Sequence, residues 1–157
     1  MGQIRLAGIP LAAALAKYVP AAERQAELGR LAAAQDAVAG RLRAQAAGLA
    51  EAGQQVQADV LAAQQLLVQD PMLTASMQEK TRADGHAPRA ILAAAEEAAA
   101  VFEAMEDAYL RERAADVRAA GQMIARQLLG IVEPPLGEEP VILAGESVEA
   151  AMLATIP

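Results

Sequence analysis

The sequence contains no cysteine and no tryptophan, with one phenylalanine, two tyrosines and one histidine. Each absence removes a class of function. Without cysteine there is no disulfide framework, no thiolate metal site and no cysteine nucleophile. A lone histidine, His86, cannot build a multi-histidine metal centre or a proton relay. Apart from the tyrosines, hydroxyls come only from Thr74, Ser76, Thr81, Ser147 and Thr155, so nucleophiles are few. Long apolar runs are also missing, and none approaches the roughly 18 residues needed to cross a bilayer. The first twenty residues are moderately apolar, but Arg5 and Lys17 interrupt them and no basic start precedes a clean apolar stretch, unlike a signal peptide. A cytoplasmic protein is expected. No Walker-type loop, GxGxxG or metal-ligand spacing occurs, so neither a metal nor another cofactor is expected.

What the chain has in excess is alanine, at 42 of 157 residues. Alanine is the best helix former and lets helices approach closely. The core must then come from Leu, Ile, Val and Met packed among alanines in a helical bundle. The length suits one domain, or one domain with fragments of a second. Thirteen basic residues stand against twenty acidic ones, for a net charge of −7. Such a surface repels phosphate backbones and anionic lipid, which argues against nucleic acid and membranes and favours a basic protein partner.

Prolines and glycines divide the chain. A first helix is expected from about Ala21 to Ala52, with Leu28, Leu31, Val38, Leu42 and Leu49 on one face. Glu23 and Glu27 lie near its start, where they complement the helix dipole. A second runs from Gln54 to Gln69, with Val56, Val60, Ala63 and Leu67 as its apolar stripe. Asp70-Pro71 reads as a cap and first turn of a third, short helix ending near Arg82. Asp84-Gly85-His86 reads as a turn, with His86 solvated.

The fourth segment, Pro88 to Leu129, is the longest. Ile91, Ala95, Ala98, Phe102, Met105 and Tyr109 form one stripe; Leu110, Ala114, Val117, Gly121, Ile124 and Leu128 form the same stripe displaced by one residue. That slip predicts a kink or two successive helices. Gly130 is the candidate C-cap. Strand signals lie at Val141-Ile142-Leu143 and, more weakly, at Ile4 to Leu6 and just before Tyr18. The expected fold is mostly α: a bundle of two hairpins with a kinked long last helix, flanked by short strands of a truncated α/β domain. Its divisions fall at 1–20, 21–130 and 131–157.

Charge is unevenly placed. Ala90 to Leu110 holds Glu96, Glu97, Glu103, Glu106 and Asp107 with no basic residue, which is either an ordinary solvated face or an acidic docking surface. Adjacent carboxylates diverge by about 100° on a helix and do not converge on one substrate atom, so acid/base catalysis is not indicated. Leu66-Leu67-Val68 and Met72-Leu73 put apolar groups on more than one side of a helix end. They either pack within the bundle or anchor a partner.

The stretch Asp107 to Gly130, DAYLRERAADVRAAGQMIARQLLG, resembles the signature helix of enzyme I of the bacterial phosphoenolpyruvate:sugar phosphotransferase system, D-x-Y-L-x-E-R-A-A-D-V-R-D-x-G. Tyr109, Leu110, Glu112, Arg113, Ala114, Ala115, Asp116, Val117, Arg118 and Gly121 match it, while Ala119 stands where Asp is usual. Leu61 to Leu73 is similar to the family's F-x-A-H-x-x-x-L-x-D-P-x-L, with Gln64 in place of His. The opening GIP resembles a worn G-x-x-A-S-P-G-x-A, and Val141 to Ala144 matches the strand after the helical block.

This resemblance implies a helical subdomain carried on an α/β phosphohistidine domain. In the family that subdomain docks the small phosphocarrier HPr. By position, the docking residues would be Leu66, Leu67, Asp70, Leu73, Phe102, Glu106, Leu110 and Arg113. The family's phosphohistidine motif, G-G-x-x-S-H, is absent here, and His86 does not replace it. As given, the chain is expected not to take or pass phosphate by the family's mechanism, whether as an excised domain or a degenerate relative. The enzyme-I-like domain of the dihydroxyacetone kinase phosphotransfer subunit is an alternative parent. The leading expectation is an HPr-docking module. Its rival is a structural bundle that forms a homo-oligomer.

Overall fold

A computed structural model describes residues 10–131. Six helices follow in order: α1 (Leu11–Lys17), α2 (Arg24–Glu51), α3 (Gln55–Val68), α4 (Pro71–Asp84), α5 (Ala87–Glu103) and α6 (Ala108–Leu129). No strand occurs among the described residues. The longest expected segment is divided at Ala104–Asp107, a few residues before the slip in its apolar pattern at Tyr109–Leu110, so the kink is a complete break between two helices. The residues just before Tyr18 form α1 rather than the weakly signalled strand. LAAALAK holds no β-branched residue, and alanine and leucine favour the helix. The other strand signals, at Ile4–Leu6 and Val141–Leu143, lie outside the described residues.

Side chains at the helix ends explain the boundaries. The Asp70 carboxylate accepts the Leu73 N–H at 2.9 Å, and Pro71 occupies the first turn, so α4 starts where the sequence signals it. Gly85 ends α4 with φ +72, donating its N–H to Thr81 O, in a left-handed conformation that only glycine adopts cheaply. His86 then caps α5, its Nδ1 accepting the Arg89 N–H at 3.1 Å. It is buried, contrary to the solvated turn histidine expected, and its ring meets Tyr18 in a T-shaped contact at 5.2 Å between centroids.

Helix α2 pairs with α3, and α5 with α6, while α4 folds against α5 and links the two hairpins. Their shared core gathers Leu31, Val38 and Leu42 from α2, Leu61 and Val68 from α3, and Leu73 and Met77 from α4. Ile91 and Ala94 come from α5, and Ala120 and Ile124 from α6. Among the described residues, eleven of the twenty-two buried apolar side chains are alanine, so close approach replaces bulk. Gly121 marks the tightest point: a Cβ there would lie 2.4 Å from the Ala95 Cβ.

Helix α3 differs from its expected orientation. Val56 and Val60 are exposed, as is Ala63, while Ala58, Leu61 and Val68 face the core. Leu67 alone of the expected stripe packs partly against it. The two alternatives are rotated by roughly 100–200° on the helix, and α3 turns the way that buries Leu61 and Val68 against α2.

Glu27 has a larger role than complementing a dipole. Its side chain is wholly buried and accepts from the Tyr18 hydroxyl (2.8 Å), Ala21 N–H (3.0 Å) and Ala87 N–H (2.8 Å), with the Arg30 guanidinium 3.4 Å away. Burial pushes its carboxyl upward, but these donors and the Arg30 charge outweigh it and hold the group below its usual range. Glu27 thereby ties the α1–α2 connection and the start of α5 to α2. Beside it, Arg24 Nε donates to Arg82 O at 2.7 Å at the end of α4.

Candidate partner-docking site

Two turns carry the residues expected to meet a partner: the α3–α4 corner and the α5–α6 turn. Both lie at the end of the α4–α5 hairpin opposite Gly85, and the Lys80–Glu97 ion pair at 3.2 Å crosses that hairpin. The α3–α4 corner is pinned from beneath. Buried Gln35 on α2 donates from Nε2 to Val68 O at 2.9 Å and to Thr74 Oγ1 at 2.8 Å. This satisfies a carbonyl at the end of α3 that would otherwise be buried without a partner. Gln35 was not among the expected site residues, since a glutamine inside a helix carries no sequence signal of what it holds.

On that corner Leu66 is 70 % exposed and Leu67 is half-buried against the core. Leu73 is only 5 % exposed and packs in the core, while its neighbour Met72, 82 % exposed, presents the apolar surface at that place. Adjacent helix residues differ by about 100°, so one of the pair had to face inward, and the position after Asp70-Pro71 settles which. Asp70 is half-exposed, and its carboxylate is engaged in capping α4.

The α5–α6 turn presents Phe102, Leu110 and Arg113, each half-buried, and exposed Glu106. Val101 and Tyr109, absent from the expected set, are more exposed still, Tyr109 at 66 %. The turn is bound by polar contacts. Arg111 Nη1 donates to Met105 O (3.1 Å) and Glu106 O (2.6 Å), and the Asp107 carboxylate caps α6 by accepting the Tyr109 N–H. Arg118 reaches back to α5 and donates in two-pronged fashion to Glu96 (2.8 and 2.7 Å) and Glu103 (2.7 and 3.0 Å). These hydrogen bonds hold both carboxyls below their usual range and push the guanidinium far above its own. The acidic run of α5 is thus smaller as a docking surface than its sequence suggests. Glu96 and Glu103 answer Arg118, Glu97 answers Lys80, and Asp107 is a cap.

Among the described residues no group of three or more His, Asp or Glu is placed to hold a metal ion. A groove of about 330 Å³ between α2 and α6 is lined by Arg30, Ala33, Ala34, Gln127 and Leu128, with neither a nucleophile nor a carboxylate pair. Nor is any helix among the described residues long and apolar enough to cross a membrane.

The chain belongs to the family described as PEP-utilising enzyme, N-terminal, whose model matches residues 1–113. Its relatives narrow this further. It is 32% identical over 161 residues to the phosphoenolpyruvate-protein phosphotransferase of Streptomyces coelicolor, covering 99% of this chain and 28% of that protein. It is 35% identical over 101 residues to the protein of the same name from Bacillus subtilis, covering 62% of this chain and 18% of that one. The chain therefore spans only 28% and 18% of the lengths of these two curated relatives. Among solved structures it is similar to the N-terminal domain of Enzyme 1 - Nitrogen, with TM-score 0.67, 26% identity, and coverage of 82% of this chain and 54% of that one. It is also similar to an NMR solution structure of Enzyme I, with TM-score 0.60, 28% identity, and coverage of 68% and 44%.

Proposed function

We propose that this chain is the docking domain for an HPr-type phosphocarrier within a phosphoenolpyruvate-dependent phosphotransferase system. One observation carries the reading. Of the seven exposed large apolar side chains among the described residues, six belong to α3, the α3–α4 corner and the two sides of the α5–α6 turn. These are Val56, Val60, Leu66, Met72, Val101 and Tyr109. Apolar side chains left exposed at the corner and the turn, with charges such as Glu106 and Arg113 beside them, have the anatomy of a protein interface. The family likeness supplies the partner, and the net charge of −7 agrees with a partner that carries a basic rim.

The domain would hold the carrier while its phosphoryl group is exchanged with a histidine of the α/β part. His86 is unsuited to that exchange, being buried and using Nδ1 as a helix cap. Such a system works in the cytoplasm. Titrating the 157-residue chain with HPr while following amide shifts tests the reading. Shifts are expected at Val60–Met72 and Val101–Arg113, with affinity falling as salt rises. A chain that ignores HPr but sediments as a concentration-dependent oligomer would replace docking with self-association through the same apolar side chains.

A further inference from the structure

The α5–α6 turn has an unusual construction. From Ala100 to Arg113 no side chain is buried; the core ends at Ala99 on α5 and resumes at Ala114 on α6. Below that level the two helices are locked by close contact at Gly121 and Ala95. Above it, apolar packing is limited to the half-buried Phe102, Met105 and Leu110. Segments with few buried apolar contacts open at low free energy, yet this one carries half of the docking residues. Arg118 is rooted in the packed level beside Val117, pairs with Glu96 there and reaches Glu103 two turns further along α5, in the unpacked level.

We propose that Arg118 is the positioning residue of the docking face: clasped by Glu96 and Glu103, it holds the α5–α6 turn in the one arrangement that presents Phe102, Leu110 and Arg113 together. This rests on the docking function proposed above. Arg118 acts through the turn and not by contact, since it lies five residues beyond Arg113 and about 140° around α6 from it. The geometry suits only arginine. A planar guanidinium meets two carboxylates with paired N–H bonds, whereas a lysine is a single point charge. The same geometry predicts a clamp that contributes little to global stability, because all three side chains are partly solvated and screened. Its effect is local order, which lowers the cost of binding by pre-organising the surface.

The test compares the 157-residue chain with Arg118→Gln, Arg118→Lys and Glu103→Gln, measuring HPr affinity and amide hydrogen exchange on each. Arg118→Gln is expected to weaken binding about tenfold and to speed exchange across Ala104–Arg113 by a similar factor. The amides of Ile91 and Ile124 should keep their protection, and Arg118→Lys should recover part of both losses. Unchanged binding with unchanged turn exchange overturns the proposal. So does weaker binding with unchanged exchange, which would make Arg118 a direct contact. If Arg118→Gln loses protection throughout, Glu103→Gln decides, and wild-type behaviour in that variant overturns the clamp. If the wild-type chain does not bind HPr, the docking function fails on its own, while faster turn exchange in Arg118→Gln still supports the clamp.

Discussion

Replacing Gly121 with alanine is expected to destabilise the bundle, although alanine is the better helix former. The new Cβ would sit 2.4 Å from the Ala95 Cβ, more than an ångström inside the ordinary carbon–carbon contact of about 3.5–4.0 Å. The obstacle is a methyl fixed to its own backbone, so no rotamer change relieves it. Helices α5 and α6 must part by roughly an ångström, which loosens Ile91, Ala94, Ala120 and Ile124 around them. Overpacking of this kind costs about 1–3 kcal/mol, while removing a mid-helix glycine returns about 0.5–1 kcal/mol. The net loss is about 1 kcal/mol, or a few degrees in the melting midpoint. Urea unfolding followed by far-UV circular dichroism measures it, and a double-mutant cycle with Ala95→Gly isolates the cause. Alone, Ala95→Gly costs about 1 kcal/mol in propensity. In the Gly121→Ala background it removes the overlap, so the pair should couple favourably by about 1 kcal/mol. Additivity within about 0.5 kcal/mol, or a Gly121→Ala variant more stable than wild type, would refute the close-contact argument.

Four further outcomes follow from the same structure. Leu73→Ala should cost about 2–5 kcal/mol of stability as a buried truncation. Leu66→Ala should stay within about 0.5 kcal/mol of wild type yet weaken HPr binding, so melting and titration on the same two proteins separate core from interface. Asp70→Ala should lose about 1 kcal/mol by uncapping α4 and Asp70→Asn should recover most of it; an Asn variant as unstable as Ala would make the negative charge itself the stabilising element. Glu27 supplies a pH dependence whose sign is fixed. Its carboxyl is held below the usual range in the folded chain, so the unfolded chain binds more protons near that range. The stabilisation is present above about pH 5 and is lost as pH falls through the folded value. Urea unfolding at a series of acidic pH values should show this decline, and it should flatten in Glu27→Gln.

Much of the architecture was legible because the end signals are local. Asp70-Pro71, Gly85 and Gly130 act within one helical turn of themselves, and each ends or starts a helix where the sequence places it. The slip of the apolar stripe near Tyr109 likewise fixed the break between α5 and α6 to within a few residues. What failed depends on three dimensions. Helix α3 offers two apolar faces, and only the presence of α2 decides that Leu61 and Val68 go inward while Val56 and Val60 stay out. The choice between Met72 and Leu73 follows from the same packing. Gln35, Glu27 and His86 looked like unremarkable polar residues, because their partners at Val68, Ala87 and Arg89 or Tyr18 are set by the assembled corners. The acidic run on α5 was visible, but its neutralisation by Lys80 and Arg118 from neighbouring helices was not.

The two tyrosines stand at opposite ends of α5, a helix of 17 residues and so about 25 Å long. Tyr18 is half-buried at its start, its hydroxyl bonded to the Glu27 carboxylate and to Arg30, while Tyr109 stands two-thirds exposed just past its end. With no tryptophan to mask them, these phenols give the chain two label-free optical gauges. A carboxylate on the hydroxyl quenches tyrosine emission, so native fluorescence should come mainly from Tyr109 and report what covers the tip. Emission that grows on acidification would instead be Tyr18 signalling that its carboxylate has let go.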